Sequence, residues 1–395
     1  MQKYILAALA AAGSAYAACS ASATLTISNA ADASALASCK TFTGNIAIAT
    51  DTVDPINIPS VRTIRGDLIA NNVSTMNQLG ADSVEIITGT FGLNDVQTLS
   101  VLSFPKLTAV ESIIWQGLPN LNGLNFDASV QQASRVDIQN TFLASLKGIN
   151  LKMVDELYLA NNGMLQEVDL QLGNVSHALT LDNNGDRLQA SFPNLIWAYN
   201  LTFRTAPSVS LPSLKYVNGS MGFYETAVSE IFAANLTRVG GSFSLEDNPE
   251  LFNLSFPLLQ TIDGGFRLAE NPKVADLTGF PALKNIGGAF NVSGEFESVA
   301  LPSLGDVRGA FYIASTEDIK SECDKYKSVN GPNKIIKGKF TCESKPTASS
   351  GGGSGGSSTG SGSGTTSSGS AALLDVSSTA MMGWTGFLAA MLGLL

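Results

Sequence analysis

Phe256-Pro257-Leu258-Leu259-Gln260-Thr261-Ile262-Asp263-Gly264-Gly265-Phe266-Arg267-Leu268 is followed, after a short gap, by Phe280-Pro281-Ala282-Leu283-Lys284-Asn285-Ile286-Gly287-Gly288-Ala289-Phe290-Asn291-Val292. Both stretches spell one phrase, L-x-x-[IV]-x-G-x-φ-x-φ, where φ is apolar. It recurs from Leu214 to Phe223, from Leu236 to Leu245 and from Leu304 to Ile313. The prolines that open each phrase, with Ala234 in the same slot, stand at 193, 212, 234, 257, 281 and 302, spaced by 19, 22, 23, 24 and 21 residues. Upstream, Pro59, Pro105 and Pro193 differ by 46 and 88 residues, near two and four periods. A Leu-rich period of ~20–29 residues is the signature of a solenoid. Counting the weaker phrases gives about twelve coils.

The chemistry of each phrase predicts its shape. Phe266 and Leu268 flank Arg267, and apolar residues two apart send their side chains to the same side of a strand. Each coil therefore contributes a short strand with two inward residues. Gly two positions earlier admits a conformation, or a close approach, that a Cβ would obstruct. Proline has no N–H to donate, so it belongs at a corner. Asn162, Asn184, Asn248 and Asn271 each lie three residues beyond the second inward residue, a placement that predicts a buried ladder of amides satisfying the turns of stacked coils.

Outside the repeats the chain is read from its ends. Residues 1–17 combine Lys3, an apolar run and Ala15-Tyr16-Ala17, the layout of a cleaved secretory signal. Their apolar run is about half of the ~20 residues a bilayer span needs. Residues 346–369 form a Ser/Gly-rich stalk, and residues 370–395 a spacer with an apolar tail. That order is the attachment signal for a glycosylphosphatidylinositol (GPI) anchor. Gly369 is the expected attachment residue, with Ser368 or Ser370 as near equivalents. A tail-anchored transmembrane helix is the alternative; no basic residue follows the tail to face cytoplasm.

Secretion places the four cysteines in an oxidising compartment. Three pairings are open to four cysteines, and the split into two distant pairs favours Cys19–Cys39 and Cys323–Cys342. No C-x-x-C occurs, which argues against zinc. The segments around these pairs, Asn29–Cys39 and Asp318–Lys327, are compatible with helices and suit the caps that a solenoid needs at its ends. Residues 18–345 are thus the expected folded domain. Seven N-x-S/T sequons, at Asn72, Asn174, Asn200, Asn218, Asn235, Asn253 and Asn291, predict heavy N-glycosylation.

Composition narrows the function. With 23 Lys+Arg against 33 Asp+Glu the net charge is -10, leaving no cationic surface for nucleic acid. A single His, His177, leaves few routes to His-based catalysis; it fills a slot occupied by Gly in other coils and reads as a surface substitution. No cofactor or metal site is indicated. Carboxylate-pair glycoside chemistry would have to use Asp182 and Asp186, or Glu246, Asp247 and Glu250. All of these follow a strand directly, where Asp and Asn are expected for turn-forming reasons. The outward positions Tyr158, Thr180, Gly222, Ser244, Arg267, Asn291 and Tyr312 carry only two aromatics, too few for a continuous sugar-stacking track. Trp115 and Trp197 read as core or corner packing.

The repeats with their Cys-bounded ends resemble the right-handed β-helix of receptor L domains. With the signal, sequons, stalk and tail, the whole chain resembles the fungal GPI-anchored cell-wall organisation glycoproteins related to sporulation-specific wall proteins. That resemblance implies a non-enzymatic protein of the plasma membrane and wall, with wall polysaccharide or mannoproteins as partners and no catalytic residues to carry over. The other readings open to the sequence are a glucan-modifying wall enzyme and an adhesin or receptor-like binding module.

Overall fold

A computed structural model describes residues 19–345; the signal, stalk and anchor expectations lie outside these residues. The fold is an all-β solenoid. Its strands are all parallel, and the largest sheet has 22 of them. Thirteen rungs, from Ile46–Ile48 to Phe311–Ser315, are stacked between the two end segments. This is one more than the phrase count; the first coil, with strands Thr41–Thr43 and Ile46–Ile48, has no proline phrase to announce it. One hydrophobic cluster runs from Ile27 to Ile336, so the solenoid is continuous through the short Pro193–Pro212 interval.

One coil shows how the sequence produces the turn. Strand Thr261–Ile262 is followed by a bend at Asp263-Gly264-Gly265, then by strand Phe266–Ala269. Glu270 is left-handed, with φ 59. Asn271 turns inward, strand Asp276–Leu277 crosses the far side, and Phe280-Pro281 makes the last corner. Ile262, Phe266, Leu268, Val274, Leu277, Phe280 and Leu283 are all buried. Each coil therefore supplies two segments to the large sheet, and most add a third to one of the small far-side sheets, where the phrase had suggested a single strand. In the middle of the chain the two segments merge into long strands such as Asn174–Asp182, bulged between Val175 and Ala178.

The glycines act by close approach. A Cβ at Gly264 would lie 2.6 Å from the carbonyl carbon of Gly241, and one at Gly288 would lie 2.8 Å from that of Gly264. The same residues carry the vertical hydrogen bonds, Gly264 N to Gly241 O at 2.9 Å and Gly288 N to Gly264 O at 2.8 Å. Backbone rests on backbone at this corner.

The amide ladder forms as expected, in two flights. Asn162 Oδ1 accepts from Thr141 N at 3.1 Å and Thr141 Oγ1 at 2.7 Å, while Asn162 Nδ2 donates to Ile138 O and Asn184 Oδ1. The second flight repeats this with Thr226, Asn248 and Asn271. Ala206 occupies the slot between the flights and is buried. Immediately before the ladder slot, ten successive coils place a left-handed residue: Asn72, Asp95, Gly117, Asn140, Asn161, Asn183, Thr205, Glu225, Asp247 and Glu270. Nine are non-glycine, held there because the next side chain must turn into the core.

Both ends are stapled. Cys19–Cys39 and Cys323–Cys342 are bonded, with Cα separations of 5.5 and 5.6 Å. At the first end, Asn29 Oδ1 caps helix Ala30–Ser34 by accepting from Ala31 N and Asp32 N, and a 3-10 turn Ala35–Ser38 runs on to Cys39. At the other, helix Lys320–Ser328 brings Tyr326 against Phe311, ring centroids 5.0 Å apart. Tyr326 Oη accepts from Leu301 N and donates to Val299 O. A stack of Phe266, Phe290, Phe311 and Phe340 rings carries the core into the terminal strand Phe340–Glu343.

Four substitutions test this account by denaturant unfolding. Asn248→Ala leaves Thr226 and Phe223 groups unpaired in the core and should cost about 2–4 kcal/mol. Gly264→Ala should destabilise strongly, whereas Gly123→Ala, where a Cβ meets nothing within 4 Å, should be near neutral. Thr205, a β-branched residue at φ 51, is strained, so Thr205→Asn should stabilise by about 1 kcal/mol.

Candidate functional site

The carboxylates that a hydrolase would need are dispersed along the stack. Asp182 closes strand Asn174–Asp182, with its carboxylate 4.0 Å from Arg204 on the next rung. Glu246 closes strand Phe243–Glu246 and pairs with Arg267 at 2.8 Å. Glu250 pairs with Lys273, Asp186 is exposed in a turn, and Asp247 is one of the left-handed residues. Asp182 and Glu246 are three rungs apart, about 14 Å at ~4.8 Å per strand, beyond the ~6.5–9.5 Å of an inverting carboxylate pair. Within each cluster the carboxylates face cations or solvent, where a general acid needs burial or a neighbouring like charge. His177 is exposed in the bulge of its strand. Among the described residues no cluster of three or more His, Cys, Asp or Glu could hold a metal ion.

The large sheet instead offers two outward columns, one on each segment. On the second segment, Asp137, Tyr158, Thr180, Thr202 and Gly222 lie in register on successive rungs. Asp137 is buried although charged; Arg135 at 3.0 Å and Gln139 Nε2 at 2.7 Å hold it. Burial raises the pKa of the Tyr158 phenol above its ordinary value, and the charges of Asp182 and Asp137 raise it further. Gly222 is covered by a neighbouring side chain. The ring of Tyr224, two residues on, folds back across it, so that a Cβ on Gly222 would collide with the phenol. Arg204 lies over the same ring, 5.1 Å from its centroid. The signal was present in the sequence as an outward Gly with Tyr on the same face two residues later.

On the first segment, Met153, Asn174, Trp197, Tyr216 and Arg238 lie in register. Val175, Ala198 and Val217, their chain neighbours, are buried, which turns the column outward. Of the two tryptophans read as core or corner packing, Trp115 is fully buried, whereas Trp197 is half-buried on the outer face and is not core. Tyr199 and Tyr216 beside it are 46% and 47% exposed. This segment lies outside the Phe266-x-Leu268-type pairs, so its outward column is not marked by the repeat phrase. Along the same column, toward the N-terminal rungs, a groove of about 630 Å³ is lined by Ile87, Val110, Ala133 and Val154 together with Glu111 and Asp155.

All seven sequon asparagines are exposed or half-exposed. Asn200 Oδ1 accepts from Ser220 N, Asn235 Nδ2 donates to Pro212 O, and Asn72 is left-handed.

Comparison with known proteins gives a consistent set of relatives. A family model described as Ecm33, GPI-anchored cell wall organization protein, matches residues 1–37. A cell surface GPI-anchored protein of Arthroderma benhamiae is 36% identical over 87% of this chain and 87% of its own. Protein ecm33 of Aspergillus fumigatus is 35% identical, over 83% of this chain and 82% of its own. Sporulation-specific protein 2 of Saccharomyces cerevisiae is 31% identical, over 78% of this chain and 62% of its own. No solved structure matches.

The environment of Tyr158 can be titrated. A raised folded pKa means that the fold accommodates the neutral phenol. Its contribution to stability is complete below the unfolded value of about 10 and is lost as pH climbs through the folded one. Asp182→Asn removes one of the two neighbouring charges, so ultraviolet titration should show the Tyr158 pKa moving down toward the ordinary value.

Proposed function

From the premise that this chain belongs to the Ecm33 family of GPI-anchored cell-wall organisation proteins, we propose that it is a non-enzymatic, N-glycosylated surface protein that organises the fungal wall by holding other wall components. In this reading a secretory signal is removed from residues 1–17, the solenoid of residues 18–345 stands on the Ser/Gly stalk, and a GPI lipid at Gly369, Ser368 or Ser370 tethers it. Its partners are wall polysaccharide or mannoproteins met by the outer faces of the coils.

The observation that carries the non-enzymatic reading is the pairing of Asp182, Glu246 and Glu250 with cations one rung away. These charges secure neighbouring coils to one another and leave no convergent acid and base. A receptor-like or adhesin role has one observation in its favour, the groove beside Val110 and Val154. It is large enough for a small ligand by the usual range of ~300–1,000 Å³.

Gene deletion followed by complementation separates the readings. A version carrying Asp182→Asn, Asp186→Asn, Glu246→Gln, Asp247→Asn and Glu250→Gln should restore wall integrity in full. Loss of rescue in a protein that still folds and reaches the surface would favour carboxylate catalysis. Phosphatidylinositol-specific phospholipase should release the protein from membranes, as it would not release a transmembrane helix.

A further inference from the structure

We infer that the N-glycan carried by Asn174 lies across the indole of Trp197, so that the sugar is the covering of an otherwise bare aromatic strip on the large sheet. This rests on the secretory routing proposed above but is independent of the scaffold role.

Asn174 opens the sequon Asn174-Val175-Ser176. It is paired in register with Trp197, which is paired in turn with Tyr216. Buried Val175 and Ala198 follow Asn174 and Trp197, so both side chains leave the same face of adjacent strands. The strand spacing of about 4.8 Å is what an asparagine-linked sugar must cross to reach the ring. The apolar C–H face of a pyranose suits the electron-rich face of an indole, with its hydroxyls left in water.

The surroundings favour this occupant over an external one. Trp197, Tyr199 and Tyr216 are flanked by two further sequons, Asn200 directly after Tyr199 and Asn218 two residues after Tyr216. A protein partner would have to seat among three glycans. The cation next in the column, Arg238, is already paired with Asp263 at 2.6 Å, so the column's own arginine is committed within the solenoid.

The test uses the secreted, glycosylated protein. Glycopeptide mass spectrometry reports which sequons are occupied. Acrylamide quenching, taken as the difference between the protein and its Trp197→Phe variant, isolates the Trp197 signal. Asn174→Gln should raise that quenching about two-fold, as for a covered indole opened to solvent, and Asn72→Gln should leave it unchanged. Peptide-N-glycosidase treatment of the folded wild type, which removes the whole glycan, should give the same rise, which guards against a folding defect in the variant. Unchanged quenching after sugar removal would overturn the inference, as would an unmodified Asn174 among occupied sequons. Protection of Trp197 by added soluble glucan while the Asn174 glycan is in place would also overturn it, in favour of an external polysaccharide. If no sequon is occupied, the routing itself fails along with it.

Discussion

A parallel solenoid stands only if every amide and carbonyl at its corners is met by the coil above or below. The strands satisfy themselves through the sheet, but each turn sends polar backbone toward a dry interior, where an unpaired group costs about 1–3 kcal/mol. This protein meets that demand with two devices at two corners. At one, glycines let successive backbones touch, so that Gly264 N reaches Gly241 O without a side chain between them. At the other, a left-handed residue swings the next side chain inward, and Asn162, Asn184, Asn248 and Asn271 supply the amides. The Phe, Leu and Ile core fills the space that these corners define.

The legibility of the fold follows from which of these devices leave a mark in residue identity. The φ-x-φ pairs and the four asparagines could be read because each demands one kind of residue at a constant offset. Thr141 and Thr226 were not read. They head the two flights through a single hydroxyl, and a lone Thr looks like any other. Nor were the left-handed positions, since Asn, Asp, Glu, Gly and Thr all fill them and only geometry unites them. The two-residue segments such as Thr261–Ile262 are too short to show an alternation, and in strand Trp197–Arg204 the buried residues Ala198, Leu201 and Phe203 do not keep a strict period of two, so the face of Trp197 could not be read from the pattern. Large aromatic side chains are usually buried, and without the pleat there was nothing to set against that tendency.

The surface chemistry follows the same logic. Two of the charges that a sequence reader could gather into an acid pair are, in three dimensions, ties between storeys, because a rung-end carboxylate faces an arginine of the next coil. Asp182 to Arg204 and Glu246 to Arg267 are the instances. What the coils leave free for other molecules is the pattern of hydroxyl, amide and aromatic groups along the outer columns. Membership of a family of wall-organising surface proteins accords with a fold that invests its charge in holding itself together.

The closed ends have a consequence for assembly. A stack of parallel strands would ordinarily go on recruiting strands from other molecules at its two open edges, which is how fibrils grow. Here helix Ala30–Ser34 and the buried Tyr326 plug the core, and disulfides tie down the short strands beside them. Lengthwise growth is thereby blocked, and a lattice of such molecules would have to be built flank to flank, like the staves of a barrel.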